Sequence, residues 1–309
     1  MLLIVTPNPA LDLTYTVPRL RAHTAHRVAS AAARAGGKGV NVARVLAALG
    51  RPALAVLPLG GPTGAAVAAD LTTAGLPHLA VPVAGETRRT VAVVDPADAT
   101  LFNEPGPELT AAEWRSVLDA VEARLPAAGA LVLSGSLPPG CPADAYADLV
   151  ARAAAHGVPT VLDADGPALS AALAAGPTVV KPNAAELRAA AGTGDVRAAA
   201  AALRERGAGA VVASLGPDGL YAATAEGGWR CEPPARVTGN PTGAGDAAVA
   251  ALAAGLQAGA AWPAMLPDAV ALSAAAVLAP LAGDFDRAAY LRFRSAARAR
   301  PIPAPRPAD

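Results

Sequence analysis

Apolar and polar positions alternate along this chain on two different periods. Short, almost continuous apolar runs fall at residues 2–6, 53–59, 130–134, 159–163, 178–181 and 210–214. Between most of them lie stretches with helical periodicity, at 40–49, 65–74, 111–125, 143–155 and 196–206. A strand that is apolar at every position is buried on both faces. The pattern therefore predicts a mostly parallel sheet with helices on each side, a doubly wound α/β domain. Beyond Gly243 the chain reads as almost wholly helical, over 244–256, 269–278 and 287–298. The Pro-rich tail 301–309 is expected to fray.

Two segments depart from the alternation. Strand-like pieces at 13–17 and 27–33, and a polar-alternating pair at 87–95 and 100–102, fit no βαβ unit. Together they predict a small separate β-layer, built from about 12–34 and 86–104. It would form a lid over the carboxyl edge of the main sheet, where open α/β folds bind ligands. The chain as a whole, 1–309, reads as a single domain.

Composition narrows the partners. A hydrophobic fraction of 53% in 309 residues supplies an ample core, rich in Ala and poor in aromatics. The formal net charge is zero, so nothing points to nucleic acid or to an anionic membrane. Cys141 and Cys231 have no metal-ligand spacing, which predicts a reduced, cytoplasmic protein. The four histidines (His23, His26, His78 and His156) show no spacing for a metal or a nucleophile–base pair. The N-terminal apolar run is short and has no basic flank, so it reads as a first strand and not as a signal peptide. Residues 247–266 carry no charge, a length that raises the question of a membrane span. Their alanine content, with Gly255, Gln257, Gly259 and Pro263, predicts a helix buried in a globular core.

The chain has only two lysines, Lys38 and Lys181, while arginine supplies the rest of its 25 Lys and Arg residues. With arginine filling the ordinary surface role, a lysine marks a place that needs a compact ammonium. Both lie in short motifs, and all five asparagines (Asn8, Asn41, Asn103, Asn183 and Asn240) lie in loop-like ones.

Asn240-Pro241-Thr242-Gly243-Ala244-Gly245-Asp246 leads straight into an Ala-rich stretch. Its glycines let successive N–H groups converge at a helix start, an anion-binding arrangement. Asp246, in the first turn, suits a general base for a hydroxyl attacking a phosphoryl group, or else an acidic residue that only complements the helix dipole. Lys181-Pro182-Asn183-Ala184-Ala185-Glu186 follows a strand and opens a helix. Asn183 and Glu186 read either as ligands of a hydrated Mg²⁺ or as a capping box. Gly36-Gly37-Lys38-Gly39-Val40-Asn41 stands at another helix start, with Lys38 suited to a phosphate and Asn41 to hydroxyls. Asp12, just after the first strand, is either a sugar ligand or a turn residue. Ser214-Leu215-Gly216-Pro217-Asp218-Gly219 borders a nucleotide or is simply a turn. No Walker A loop and no dinucleotide fingerprint is present.

In this order the motifs resemble those of the PfkB (ribokinase-like) carbohydrate kinases, especially the 1-phosphofructokinase and tagatose-6-phosphate kinase branch. The likeness runs through Asn8-Pro9-Ala10-Leu11-Asp12, the Gly36–Asn41 run continued by Val42-Ala43-Arg44-Val45-Leu46, Asn103-Glu104-Pro105-Gly106-Pro107, Ser134-Gly135-Ser136-Leu137-Pro138-Pro139-Gly140, and the three motifs at 181–186, 214–219 and 242–246. The resemblance implies a ribokinase-like fold and ATP-dependent phosphorylation of a ketohexose monophosphate. Fructose 1-phosphate is the expected substrate, and tagatose 6-phosphate is the alternative.

By the same resemblance Asp246 is the base, and Gly243, Ala244 and Gly245 form the anion hole. Lys181, Asn183 and Glu186 serve ATP and Mg²⁺, and Ser214, Gly216 and Gly219 line the nucleotide. Asp12, Gly37 and Asn41 hold sugar hydroxyls, and Lys38, Arg88 and Ser136 grip the phosphate already on the sugar. Arg27 matches a lid position that in relatives reaches across a dimer interface, which implies a homodimer formed through the lid. K⁺ is a further candidate cofactor. Two departures bear on the sugar: Thr90 stands where many relatives have Asn, and relatives using fructose 6-phosphate have Arg and Gly where Leu101 and Lys38 stand. A non-catalytic sugar-phosphate sensor and a dehydrogenase are the competing classes. The first sits poorly with the full set of charged residues, the second with the missing fingerprint.

Overall fold

The computed structural model describes residues 1–302 apart from 29, 97 and 98. The main sheet has ten strands. From one edge they run Arg300–Ile302, Gly227–Cys231, Leu220–Thr224, Ala210–Ser214, Val179–Val180, Thr160–Asp163, Ala130–Ser134, Leu2–Val5, Ala53–Leu59 and His78–Pro82. The seven from Ala210–Ser214 to His78–Pro82 are parallel, and the other three join antiparallel.

The apolar runs are buried on both faces, as their composition predicts. Side chains of a strand alternate between faces. Leu2, Ile4 and Val132 accordingly enter one core, and Leu3, Val5, Leu131 and Leu133 the other. Helices Lys38–Ala48, Gly61–Thr73, Ala244–Gln257, Trp262–Val277 and Arg287–Ala296 cover the first face. Helices Ala111–Glu122, Ala145–Ala155, Gly166–Leu173, Ala184–Ala191 and Val196–Glu205 cover the second.

The uncharged stretch 247–266 resolves into parts of two buried helices separated at Gly259, whose φ of 62° ends the first. Among the described residues, no helix is long and apolar enough to cross a membrane. Alanines 247, 248, 250, 251 and 253 are all buried, and small side chains let this helix approach both Lys38–Ala48 and Trp262–Val277.

The lid is a separate four-stranded sheet in the order Ser30–Gly36, Ala10–Thr16, Arg88–Val94 and Ala99–Asn103. Its second strand follows the first main strand after a four-residue turn, so the lid stands directly over the carboxyl edge. The end of the chain differs from expectation. Pro301 and Ile302 do not fray but continue an edge strand, with Trp229 opposite Pro301. Proline is tolerated there because an edge strand leaves one side of its backbone unpaired. The remainder of the tail, 303–309, lies outside the described residues.

Candidate active site

A cleft of about 850 Å³ opens between the lid and the carboxyl ends of the main strands. It collects residues far apart in sequence: Asp12, Gly37, Lys38, Asn41, Arg88, Lys181, Asn183, Glu186, Ser214, Gly243, Gly245 and Asp246 all line it. The expected site residues Ala244, Ser136, Gly216, Gly219 and Arg27 do not.

The helix Ala244–Gln257 begins at Gly243 with φ 85° and no side-chain cap. A Cβ there would stand 2.9 Å from Ala282 Cα, so the tight turn excludes any larger residue. The loop before it is fixed by Asn240, whose Oδ1 accepts from Thr242 N (3.0 Å) and whose Nδ2 donates to Pro280 O (3.0 Å). Ala244 N–H donates to Pro241 O at 3.2 Å, closing the turn that starts the helix. The N–H groups of Gly245 and Asp246, in the first helical turn, have no intrahelical carbonyl and remain for a ligand.

Asp246 is 6% exposed, and its Oδ2 accepts from Asn41 Nδ2 at 2.8 Å. Burial, reinforced by the nearby Asp163 carboxylate, pushes the Asp246 carboxyl up to about 6 against the pull of Asn41, Lys181 and Lys38. A carboxylate so placed is ionised near neutrality and basic enough to take a proton from a sugar hydroxyl.

Asp163 is the residue that motif reading missed. It ends a main strand and is 2% exposed. Both lysines of the chain converge on it: Lys181 Nζ lies 3.3 Å from Oδ1, and Lys38 Nζ 3.6 Å from Oδ2. Burial alone would raise the Asp163 carboxyl, but Lys181 and then Lys38 outweigh it and hold it below the ordinary range. A shortage of lysine in the whole sequence was the available signal that the two act on one point. Gly245 belongs to the same cluster, since a Cβ there would meet Lys181 Nζ at 3.3 Å.

The lid supplies the opposite end. Asp12 sits over Gly36, where a Cβ would collide with its carboxylate. Burial raises Asp12 to about 6, opposed by Arg88, a hydrogen bond with Thr90, and Arg34. Arg88 Nε donates to Asn8 O (3.2 Å), and Asn8 Nδ2 donates to Ser136 Oγ (3.1 Å). Arg88 and Ser136 thus meet around Asn8, while Lys38 is placed elsewhere, on Asp163. Thr90 accepts from Arg88 Nη1 (3.4 Å) and faces the cleft. Arg34 forms a two-pronged pair with Asp284 (2.9 and 2.7 Å) that ties the lid to the loop after Trp262–Val277.

Asn183 and Glu186 form a complete capping box. Asn183 Oδ1 accepts from Ala185 N (2.8 Å) and Glu186 N (2.9 Å), and Glu186 Oε2 accepts from Asn183 N (2.8 Å). Both still line the cleft. Gly216 and Gly219, with φ 61° and 83°, shape the turn after Ser214. Arg27 is exposed on the approach to the lid.

These features were compared with known proteins. The profile of the pfkB family carbohydrate kinases matches residues 8–287. The chain belongs to that family. It is an ATP-dependent sugar kinase by membership, with a ribokinase-like fold. It is 40% identical over 263 residues to a 1-phosphofructokinase of Xanthomonas campestris pv. campestris, covering 82% of this chain and 83% of that protein. Among solved structures it resembles phosphofructokinase-2 of Escherichia coli in complex with potassium, at 32% identity and a TM-score of 0.88, over 95% of this chain and 98% of the other. It also resembles a possible 1-phosphofructokinase of Thermotoga maritima, at 26% identity and a TM-score of 0.87, over 98% and 99%.

Proposed function

We propose that this kinase transfers the terminal phosphoryl group of ATP to fructose 1-phosphate, giving fructose 1,6-bisphosphate. The polarity of the cleft carries the reading. Arg88, with Ser136 beside it across Asn8, stands at the lid end; Asp246 and the open start of its helix stand at the other; Asp12 and Asn41 lie between. A sugar phosphate fits with its phosphate on the guanidinium, its hydroxyls on Asp12 and Asn41, and its free terminal hydroxyl at Asp246. Leu101 lines the cleft where, by family resemblance, users of fructose 6-phosphate carry arginine, and this favours the 1-phosphate. The name of the Xanthomonas relative supports the same choice.

In this reading Asp246 accepts the hydroxyl proton as the oxygen attacks, and Asn41 holds the carboxylate in line. The N–H groups of Gly245 and Asp246, with Lys181, stabilise the charge on the moving phosphoryl group. Ser214, Gly216 and Gly219 border the nucleotide. Mg²⁺ would screen the phosphate charges. No cluster of three or more His, Cys, Asp or Glu suited to a metal exists among the described residues. Asn183 and Glu186, both lining the cleft, fit the few ligands that a hydrated Mg²⁺ takes from protein.

A monovalent cation is supported by the potassium complex of the Escherichia coli relative. A homodimer through the lid is supported by Val28, next to Arg27 in sequence, and Phe102, large apolar side chains left exposed there. A cytoplasmic setting accords with two free cysteines.

A coupled ADP-release assay over fructose 1-phosphate, fructose 6-phosphate, tagatose 6-phosphate and unphosphorylated hexoses tests the reading. Fructose 1-phosphate is expected to lead in kcat/KM by tenfold or more. A lead for tagatose 6-phosphate would reassign the substrate, and no ADP release with any sugar phosphate would reject the proposal.

A further inference from the structure

We infer that Asp284 is a positioning residue: by holding Arg34 of the lid it keeps the loop 280–284 against Gly243, and so couples the lid to the open start of helix Ala244–Gln257. Asp284 is not among the residues that line the cleft. The inference rests on the reading that this helix start receives the moving phosphoryl group.

One residue of that loop meets both the lid and the helix start. Arg34 Nη1 and Nη2 donate to the two carboxylate oxygens of Asp284 at 2.9 and 2.7 Å, and Nη1 also donates to Ala282 O at 3.4 Å. Ala282 Cα is the atom that a Cβ at Gly243 would meet at 2.9 Å. The lid strand Ser30–Gly36 and the turn that opens the helix therefore both bear on Ala282. The rest of the loop is wedged in place. Pro280 O accepts from Asn240 Nδ2 at 3.0 Å, and a Cβ at Gly283 would meet Arg44 Cδ at 3.1 Å and Asn41 Cα at 3.2 Å. A segment packed this closely transmits a displacement instead of absorbing it. On the lid side, Arg34 stands opposite Asp12 in the strand register. The contacts thus form a contiguous chain from a proposed sugar ligand, through Arg34 and Ala282, to Gly243.

Partly exposed ion pairs are ordinarily weak, and the side chains here are 24% and 43% exposed. Two features set this pair apart. Its two-pronged geometry fixes the orientation of the guanidinium as well as its distance. Asp284 also offsets a like charge, because Arg34 lies close to the buried Arg44. Burial and then the charge of Arg34 pull the Arg44 guanidinium below its ordinary value, and Asp70 and, more weakly, Asp284 oppose them. Arg44 is pinned by Asp70 and by Ala35 O, so it cannot turn away. Without Asp284, Arg34 would keep its cationic neighbour and lose its anion, and the lid strand would be pushed off the loop.

Hydrogen exchange and steady-state kinetics of Asp284→Ala and Asp284→Glu test this. In Asp284→Ala, amide exchange is expected to quicken fivefold or more in 30–36 and 280–286, and also in 239–247. In that last segment the N–H groups of Asn240, Thr242, Ala244 and Ala247 are all bonded in the wild type. With the sugar phosphate that ranks first in the ADP-release assay, kcat should fall about tenfold, as for a displaced oxyanion-type donor. The KM for that sugar should rise less than threefold, since Asp12, Asn41 and Arg88 are untouched. Asp284→Glu, which keeps the carboxylate, should recover most of both effects. Faster exchange confined to 30–36 and 280–286, an unchanged kcat, or no recovery in Asp284→Glu would each overturn the inference. The exchange measurement contains neither sugar nor nucleotide, so it decides the coupling even if no sugar phosphate is turned over. Should Asp284→Ala melt early, Asp284→Asn, which keeps one acceptor and loses the charge, carries the same comparison.

Discussion

Two of the helix starts that line the cleft, those at Asn183 and Gly243, answer the same electrostatic need in opposite ways. At Asn183 the helix satisfies itself: two N–H groups donate to the Asn183 side chain, and Glu186 returns a bond to the Asn183 backbone. At Gly243 no side chain caps the helix, and a left-handed glycine turns the chain so sharply that the first-turn N–H groups border the cleft. Both carry an acidic residue in the first turn, Glu186 and Asp246. Glu186 is tied into its cap. Asp246 is buried, destabilised as an anion and bonded to a separate helix through Asn41. A helix start is available to a ligand when its own side chains leave the donors unanswered, and by that measure the Gly243 start is open where the Asn183 start is closed.

The most severe way to break this contrast is Asp246→Asn. Loss of the general base should lower kcat by about 10²–10⁴. A variant within tenfold of wild type, with chemistry rate-limiting, would remove Asp246 from that role. Gly243→Ala comes next. The φ of 85° and the approach to Ala282 force the turn to shift, moving the open N–H groups. Removal of one oxyanion-type donor typically costs about 10²–10³ in kcat; a displaced donor should cost somewhat less, at least tenfold. Steady-state kinetics alongside a melting curve separates this from simple unfolding.

The pH dependence sharpens the contrast. Asp246 and Asp12 both sit near 6, so kcat/KM should fall as pH drops through about 6, because the base is protonated below that value. Stability should move the other way for Asp246. Its folded value of about 6 lies above the ordinary 3.8, so the carboxylate opposes folding above pH 6 and ceases to do so below about 3.8. Asp246→Asn should therefore be more stable than wild type at pH 8, by at most about 3 kcal/mol, with the gain shrinking toward pH 4. A denaturant titration at both pH values checks this, and an equal effect at the two would contradict the buried-anion account.

Asn183→Ala is the mildest of the four. Losing a cap costs about 1 kcal/mol, and kcat should change only a few-fold. If kcat fell as far as in Asp246→Asn, the capped start would be part of the chemistry and the contrast would collapse.

Most of the main sheet was legible because burial on both faces writes itself as an uninterrupted apolar run. Strands Ala53–Leu59, Ala130–Ser134 and Ala210–Ser214 fall where the pattern puts them. The lid was legible as strands that fit no βαβ unit, though its extent was understated at Ala10 and Gly36. The strand Arg300–Ile302 was not, since Pro301 reads as a breaker and only its partner at Trp229 makes it an edge. Among site residues, glycine-bearing motifs announced Gly243, Gly37 and their neighbours because tight turns demand glycine. Asp163 had no such signature: a lone aspartate at a strand end looks like any other until two lysines arrive at it.

The sequence by itself determined the alternation of elements, the helix starts and the pairing of residue types with chemistry, because these depend on neighbours a few positions apart. The tertiary structure decided which of those starts stay open, that Lys38 and Lys181 share one buried carboxylate, and that Lys38 faces Asp246 while Arg88 faces Asp12. Such facts depend on distances between residues brought together from separate elements, which sheet order and helix packing set and local pattern does not encode.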